Sequence, residues 1–212
     1  MKITKFGHCC LLIEEQGLRI LTDPGSYSTL QNEVKDIDVI LITHEHSDHL
    51  HIESLKTVLK NNFSARVITN KGVGVILDKE SIVYEIVEDE QKLEIRGIKI
   101  EGCGKKHAIM YRSLPLVDNT GYFIGDKLFY PGDAFTLPGK PVDILALPVA
   151  GPWLTLSDAI DYAKRINPKK CFPVHEGILK SAGTTHRIPP QILEPIGIKF
   201  IVIEEGKSFD FE

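Results

Sequence analysis

The chain has 212 residues, of which 42% are hydrophobic and 25% charged, with a net charge of −4 and a pI near 6.1. Those values belong to an ordinary soluble globular protein, long enough for one well-buried α/β domain over residues 1–212. Lys and Arg are scattered, so no basic stripe exists to neutralise a nucleic-acid backbone, and no apolar run approaches the ~20 residues needed to span a bilayer.

In chain order, the pattern predicts strands at Lys2–Phe6, Cys10–Glu14 and Arg19–Thr22, with a Gln16-Gly17 turn between the second and third. Gly7-His8 interrupts the first two, and Asp23-Pro24-Gly25 stops the third. After a loop, Val39–Ile42 runs apolar without polar alternation, as a strand buried on both faces does. Ile52, Leu55 and Leu59 at helical spacing predict a helix over 52–60, followed by strand Arg66–Thr69 and a short helix near Gly72–Leu77. Strands return at Ile82–Val87, Lys92–Ile95, Ile98–Glu101, Gly121–Ile124 and Lys127–Tyr130, with Gly125-Asp126 as the hairpin turn between the last two. Asp143–Leu147 is a second buried strand. Thr155, with Asp158 three positions on, starts a helix that Asn167-Pro168 ends; its Leu156, Ile160, Ala163 and Ile166 share one face. Strand Lys170–Pro173, helix Pro189–Leu193, and strands Lys199–Ile203 and Ser208–Phe211 complete the series. Two sheets packed face to face, with helices outside, would bury both faces of the two central strands. Cys9, Cys10, Cys103 and Cys171 form no C-x-x-C pair, and no apolar signal region precedes the first strand. A reduced, cytoplasmic chain is expected.

The chemistry gathers in Thr43-His44-Glu45-His46-Ser47-Asp48-His49. Extended chain would project His44, His46 and Asp48 to one side, and the turn into the following helix would swing His49 round to join them. Imidazole nitrogen and carboxylate oxygen bind Zn²⁺ and its divalent neighbours, so the stretch reads as a metal site. Asp23, His107, Asp133 and His175 each stand where a predicted strand stops. Singly, each has a structural explanation as a turn former or a lone histidine. Together they occupy the strand ends where open α/β sheets place ligands.

His44-x-His46-x-Asp48-His49, followed in order by His107, Asp133 and His175, resembles the metallo-β-lactamase superfamily over essentially the whole chain, with Asp23 as its early aspartate. Gly7-His8-Cys9, Gly151-Pro152-Trp153 and Pro173-Val174-His175-Glu176-Gly177 are similar to its UlaG-like branch, named for ascorbate-6-phosphate lactonase. The resemblance implies a four-layer αββα sandwich and two divalent ions, Zn²⁺ first and Mn²⁺ second. His44, His46 and His107 would hold one ion, Asp48, His49 and His175 the other, and Asp133 would bridge them. Asp23 would accept a proton from a ligand imidazole. A hydroxide shared by the two ions would attack a small ester, lactone or phosphodiester, with Asp48 and Asp133 at the catalytic centre. His8 would either contact substrate there or serve the structure. The implied partner is a small molecule, with neither nucleic acid nor membrane. The alternative is a catalytically silent metal-binding scaffold or sensor, against which the complete ligand set argues. Diiron redox relatives carry Glu where this chain has His46. No Gly-x-Ser-x-Gly elbow offers a serine nucleophile. Trp153 would wall the pocket or anchor a loop, His186 is expected in a loop, His51 exposed, and Cys103 a buried small side chain.

Overall fold

Residues 2–22 form an antiparallel meander, β1 (Lys2–Gly7), β2 (Cys10–Glu15) and β3 (Leu18–Thr22), in the computed structural model, which describes residues 1–212. From β3 the sheet continues in parallel through β4 (Val39–Leu41), β5 (Arg66–Thr69) and β6 (Glu85–Ile86). The crossovers carry helices α1 (Ile52–Asn61) and α2 (Lys71–Lys79). The second half repeats the plan. Strands β7 (Lys92–Ile95), β8 (Ile98–Cys103), β9 (Gly121–Ile124) and β10 (Leu128–Tyr130) are antiparallel. Gly125 and Asp126 turn between the last two with φ of 62° and 55°, as a primed hairpin turn requires. Strands β11 (Ile144–Pro148), β12 (Lys170–Val174) and β13 (Lys199–Phe200) then run parallel, with α3 (Leu156–Ile166) and α4 (Gly183–Leu193) between them. Finally β14 (Ser208–Asp210) returns to the first sheet, antiparallel to β1. Each sheet has seven strands.

The two sheets face each other across a core that joins Ile3, Leu11, Val39 and Leu41 to Ile124, Tyr130, Ala146 and Phe172. A second core layer lies under α1 and α2, where Ile40 and Val67 meet Leu55, Val58 and Val73. A third lies under α3 and α4, where Phe129 and Leu145 meet Ala159, Ile160 and Leu193. Alternate residues of β4 thus point into different layers, which is why the run is apolar throughout. Cys9 and Cys10 face opposite layers in the same way. The result is the expected four-layer αββα sandwich.

Three elements differ from expectation. Residues 82–87 pair only at Glu85–Ile86, because Ile82 and Tyr84 pack under α2 and the Ile82 amide caps the Leu77 carbonyl at 3.0 Å. Residues 199–203 pair only at Lys199–Phe200, although Ile201 and Ile203 still fill the inter-sheet core. Helix α4 starts at Gly183 rather than Pro189 and runs through the Pro189-Pro190 pair. Thr185, Pro189 and Leu193 are buried at four-residue spacing, so packing of that face overrides the lost backbone bonds. No helix is long and apolar enough to cross a membrane.

Candidate metal centre

All the site loops leave their strands at one edge of the sandwich. The chain after β4 does not stay extended. His49 and Leu50 donate back to the His46 carbonyl at 2.9 and 2.8 Å, closing a tight turn over 46–49. That turn, and not helix α1, brings His49 to the cluster, since α1 begins only at Ile52. The loop after β3 is laced to it by Ser26 N–H to the Ser47 carbonyl at 2.8 Å. The approach is so close that a Cβ on Gly25 would lie 1.7 Å from the Asp48 carbonyl oxygen. Only glycine fits there.

Asp23 is fully buried and holds four donors. Oδ1 accepts from the Thr43 amide at 2.8 Å, and Oδ2 accepts from Thr43 Oγ1 at 2.8 Å, His49 Nδ1 at 2.7 Å and Tyr130 OH at 2.6 Å. The proton on His49 is thereby fixed at Nδ1, leaving Nε2 bare. His107 Nδ1 donates to the Ala108 carbonyl at 2.5 Å, again leaving Nε2 bare. Thr43 Oγ1 spends its proton on Asp23, so at 3.0 Å it accepts from His44 Nδ1, and His44 Nε2 is left facing His46 Nδ1 at 3.0 Å. Asp133 lies between the two groups of histidines. Its carboxylate is 3.2 Å from His49 Nε2, 3.3 Å from His107 Nε2 and 2.8 Å from His175 Nε2.

Those three nitrogens and Asp133 Oδ1 are buried and have no aligned hydrogen-bond partner. Bare imidazole nitrogens facing a carboxylate repel one another, and buried polar atoms of this kind call for something that satisfies them. A cation does so, and every atom concerned is a metal donor. His44, His46, His107 and Asp133 bring donor atoms within 4.8 Å of one another, and so do His8, Cys9, His49 and His175. Asp48 Oδ2 joins the second group, 3.5 Å from His175 Nε2 and 3.9 Å from His49 Nε2. The electrostatics agree. Burial opposes charge on Asp133, yet the field of His49 and the neighbouring imidazoles hold its carboxyl well below the usual range. Burial likewise opposes charge on His49, but the field of Asp133, with Cys9 and Asp23, raises its pKa, so that a proton competes for the same Nε2 place that a cation would fill. The pocket is built around negative charge that asks for positive charge.

The comparisons with known proteins decide the family. The family model described as the beta-lactamase superfamily domain matches residues 2–175. The chain belongs to the beta-lactamase superfamily. Protein Rv0786c of Mycobacterium tuberculosis is 34% identical to it over 184 residues, covering 84% of this chain and 85% of that protein. A Thermoplasma acidophilum protein named a UPF0173 metal-dependent hydrolase is 28% identical over 226 residues, covering 93% and 99%. Among solved structures, Igni18, a metallo hydrolase from the archaeon Ignicoccus hospitalis, matches with a TM-score of 0.77 at 21% identity over 100% of this chain and 99% of that one. At that identity the likeness shows the fold.

In this superfamily member every residue singled out as a donor reaches the cluster, and Asp23 lies directly behind His49. His8 lies there too. Its Nδ1 accepts the Gly177 amide at 3.1 Å, so its Nε2–H donates to Asp48 Oδ2 at 3.1 Å. Burial, the largest influence on its pKa, keeps that imidazole neutral. Gly177 is required, because a Cβ there would stand 2.9 Å from His8 Nδ1. Trp153 both walls the pocket and anchors its loop: Nε1 donates to Asp133 Oδ2 at 3.0 Å while the ring packs on Phe135. His186 sits in helix α4, not a loop, and meets Glu176 at 3.1 Å. His51 is half-buried ahead of α1, against Ser54 at 3.0 Å. Cys103 is buried as expected, away from the cluster. Sequence reasoning missed Thr43 and Tyr130, and read Cys9 only within Gly7-His8-Cys9 and as a reduced thiol. Thr43 precedes His44 and Cys9 follows His8 directly, the local signals; Tyr130 acts through space.

Above the donors opens a cleft of about 340 Å³ lined by His46, Asp48, His107, Asp133, Trp153 and His175 among others. A separate polar hollow of about 380 Å³, between Asn70, Glu88, Lys105 and Asp118, holds none of the cluster residues.

Proposed function

We propose that this chain is a metal-dependent hydrolase of the UlaG-like kind, acting on a small ester, lactone or phosphodiester. The observation that carries the reading is the convergence of four buried, unpartnered donor atoms, His49 Nε2, His107 Nε2, His175 Nε2 and Asp133 Oδ1, beneath an open cleft. His44, His46 and His107 would hold one divalent ion and Asp48, His49 and His175 a second, with Asp133 shared; Zn²⁺ is the first choice and Mn²⁺ the second. Two such ions supply a water of lowered pKa and polarise the substrate oxygen.

The chain's own residues do the rest. Asp23, with Thr43 and Tyr130, fixes the His49 tautomer, and Trp153 fixes the Asp133 carboxylate. His8 orients Asp48. Burial opposes the Asp48 charge, but the His8 hydrogen bond and the fields of His49 and His175 outweigh it and hold the carboxyl at about 2. Asp48 is therefore an anion at neutral pH, reaching the cleft floor. No thiol competes as nucleophile: burial pushes Cys9 and Cys171 to about 12 and Cys103 to about 11. Four unpaired cysteines also suit a reducing cytoplasmic compartment. The open cleft over the donors favours catalysis above a silent scaffold. Elemental analysis after metal loading should approach two ions per chain, and a panel of lactones, esters and phosphodiesters should reveal chelator-sensitive turnover. Less than one ion in protein shown to be folded would sink the reading.

A further inference from the structure

The cleft over the donors, about 340 Å³, sets an upper bound of a small molecule. All its charged lining belongs to the donor set, and no Lys or Arg contributes. Tyr27, Met110, Pro152, Trp153 and Ile178 make up the apolar walls. Tyr27 is 53% exposed and Ile178 41%, so apolar area stands in water beside the reactive atoms. Arg112 and Lys180, two positions from Met110 and Ile178, are exposed and lie outside the lining, and other cations are engaged elsewhere. Lys5 is buried against Glu176 and the Pro173 carbonyl. Lys105 and Lys106 face the separate polar hollow, paired with Asp89 and Asp118.

Building on the hydrolase reading, we infer that the substrate is a neutral carboxylic ester or lactone with an apolar acyl or aryl group, and that it carries no phosphate or carboxylate remote from the bond cleaved. The donor cluster can receive the oxygen of the reacting group. A second anion would lie against apolar walls and beside the Asp48 carboxylate, partly stripped of water and with no cation in the lining to pair with. An alkyl or aryl group gains from the same walls, by about fourfold in affinity per methylene buried. In the reaction, water's oxygen bonds to the acyl carbon and the acyl C–O bond breaks with its electron pair on the leaving oxygen. That oxygen takes one of water's protons, and the other passes to solvent as the acid ionises.

The test uses metal-loaded protein with p-nitrophenyl esters from acetate to octanoate, the γ-lactones of the same lengths, and counterparts ending in a carboxylate or phosphate. Trp153 is the only tryptophan, so quenching of its fluorescence by the matching N-alkyl amides gives a binding readout without turnover. We expect kcat/KM and amide affinity to rise about fourfold per methylene until the cleft is full, with the anionic counterparts at least tenfold worse. Ile178→Lys, or Met110→Lys should the first fold poorly by circular dichroism, should narrow or reverse that gap. Equal or better use of the anionic series by the unmodified protein, or no dependence on chain length, would overturn the inference. Ordered quenching by the neutral amides with no ester or lactone cleaved would keep the ligand class and discard the hydrolase reading.

Discussion

Asp23 and Asp133 are both buried carboxylates of one cluster, and their partners give them opposite work. Asp23 satisfies four protein donors, whereas Asp133 leaves Oδ1 without any. Asp23→Ala should therefore destabilise the metal-free protein by about 3 kcal/mol, lowering Tm by roughly 6–12 °C. Asp133→Ala should keep the native circular dichroism and lose bound metal. Global unfolding of the Asp133 variant would show it to be a structural residue instead. The histidines predict an acid response. His8, His44 and His46 are held below 6.5, chiefly by burial. From pH 6.5 downward the unfolded chain takes up protons that the folded one refuses, so stability is lost as pH falls. His49, raised above 6.5, works in the opposite sense but alone. Thermal melts of metal-free protein should thus show Tm falling from pH 7 to 5; a level or rising Tm would refute it. At this scale the sequence was legible for which residues converge, because His and Asp at strand ends are marked by residue type and order. It was blind to Tyr130, which reaches Asp23 across 107 positions, since no spacing rule links them.

Among the elements, the site depends less on strands than on how two loops pass each other. Gly25 allows the loop after β3 to lie against the Asp48–His49 peptide, and any Cβ there meets backbone rather than a flexible side chain. Gly25→Ala should push the 46–49 turn out of place and weaken metal affinity at least tenfold, in the range seen when groups supporting a ligand are removed. Isothermal titration with Zn²⁺ into the metal-free variant would measure it, and unchanged affinity would disprove the argument. Neither the close approach nor the turn could be read beforehand. A histidine–x–histidine alternation suggests extended chain, and only packing against a distant loop closes the turn. Elements with a local code were legible instead. The Thr155–Asp158 capping box and left-handed Asn167 bound α3 where expected. Pro189-Pro190 misled because buried Thr185, Pro189 and Leu193 outweigh the proline rule.

Across the whole molecule, both sheets contribute to one edge, with His8, Asp23 and the 44–49 loop from the first and His107, Asp133 and His175 from the second. Sandwich and site are therefore expected to unfold together in one transition, which saturating metal should raise; about 2.7 kcal/mol of added stability is expected at a hundred times Kd. Removing residues 208–212 strips β1 of its partner β14 and bares a sheet edge. That truncation should aggregate at concentrations where the whole chain stays monodisperse in light scattering; equal monodispersity would show the edge to be covered otherwise. The layer plan was legible because apolar runs mark strands buried on both sides, but the return of β14 to β1 was not, since Thr4 and Ser208 meet across 204 positions. The same span sets a timetable. Gly177, whose amide holds His8, follows it by 169 residues, which is roughly 8 to 34 seconds of translation at about 5–20 residues per second. Within that interval, from the making of Asp48 to that of His175, the nascent chain displays His44, His46 and Asp48 without the full set of His107, Asp133 and His175. An ion caught then would sit in an incomplete cage, so the full set of candidate donors is on offer only once His175 has been made.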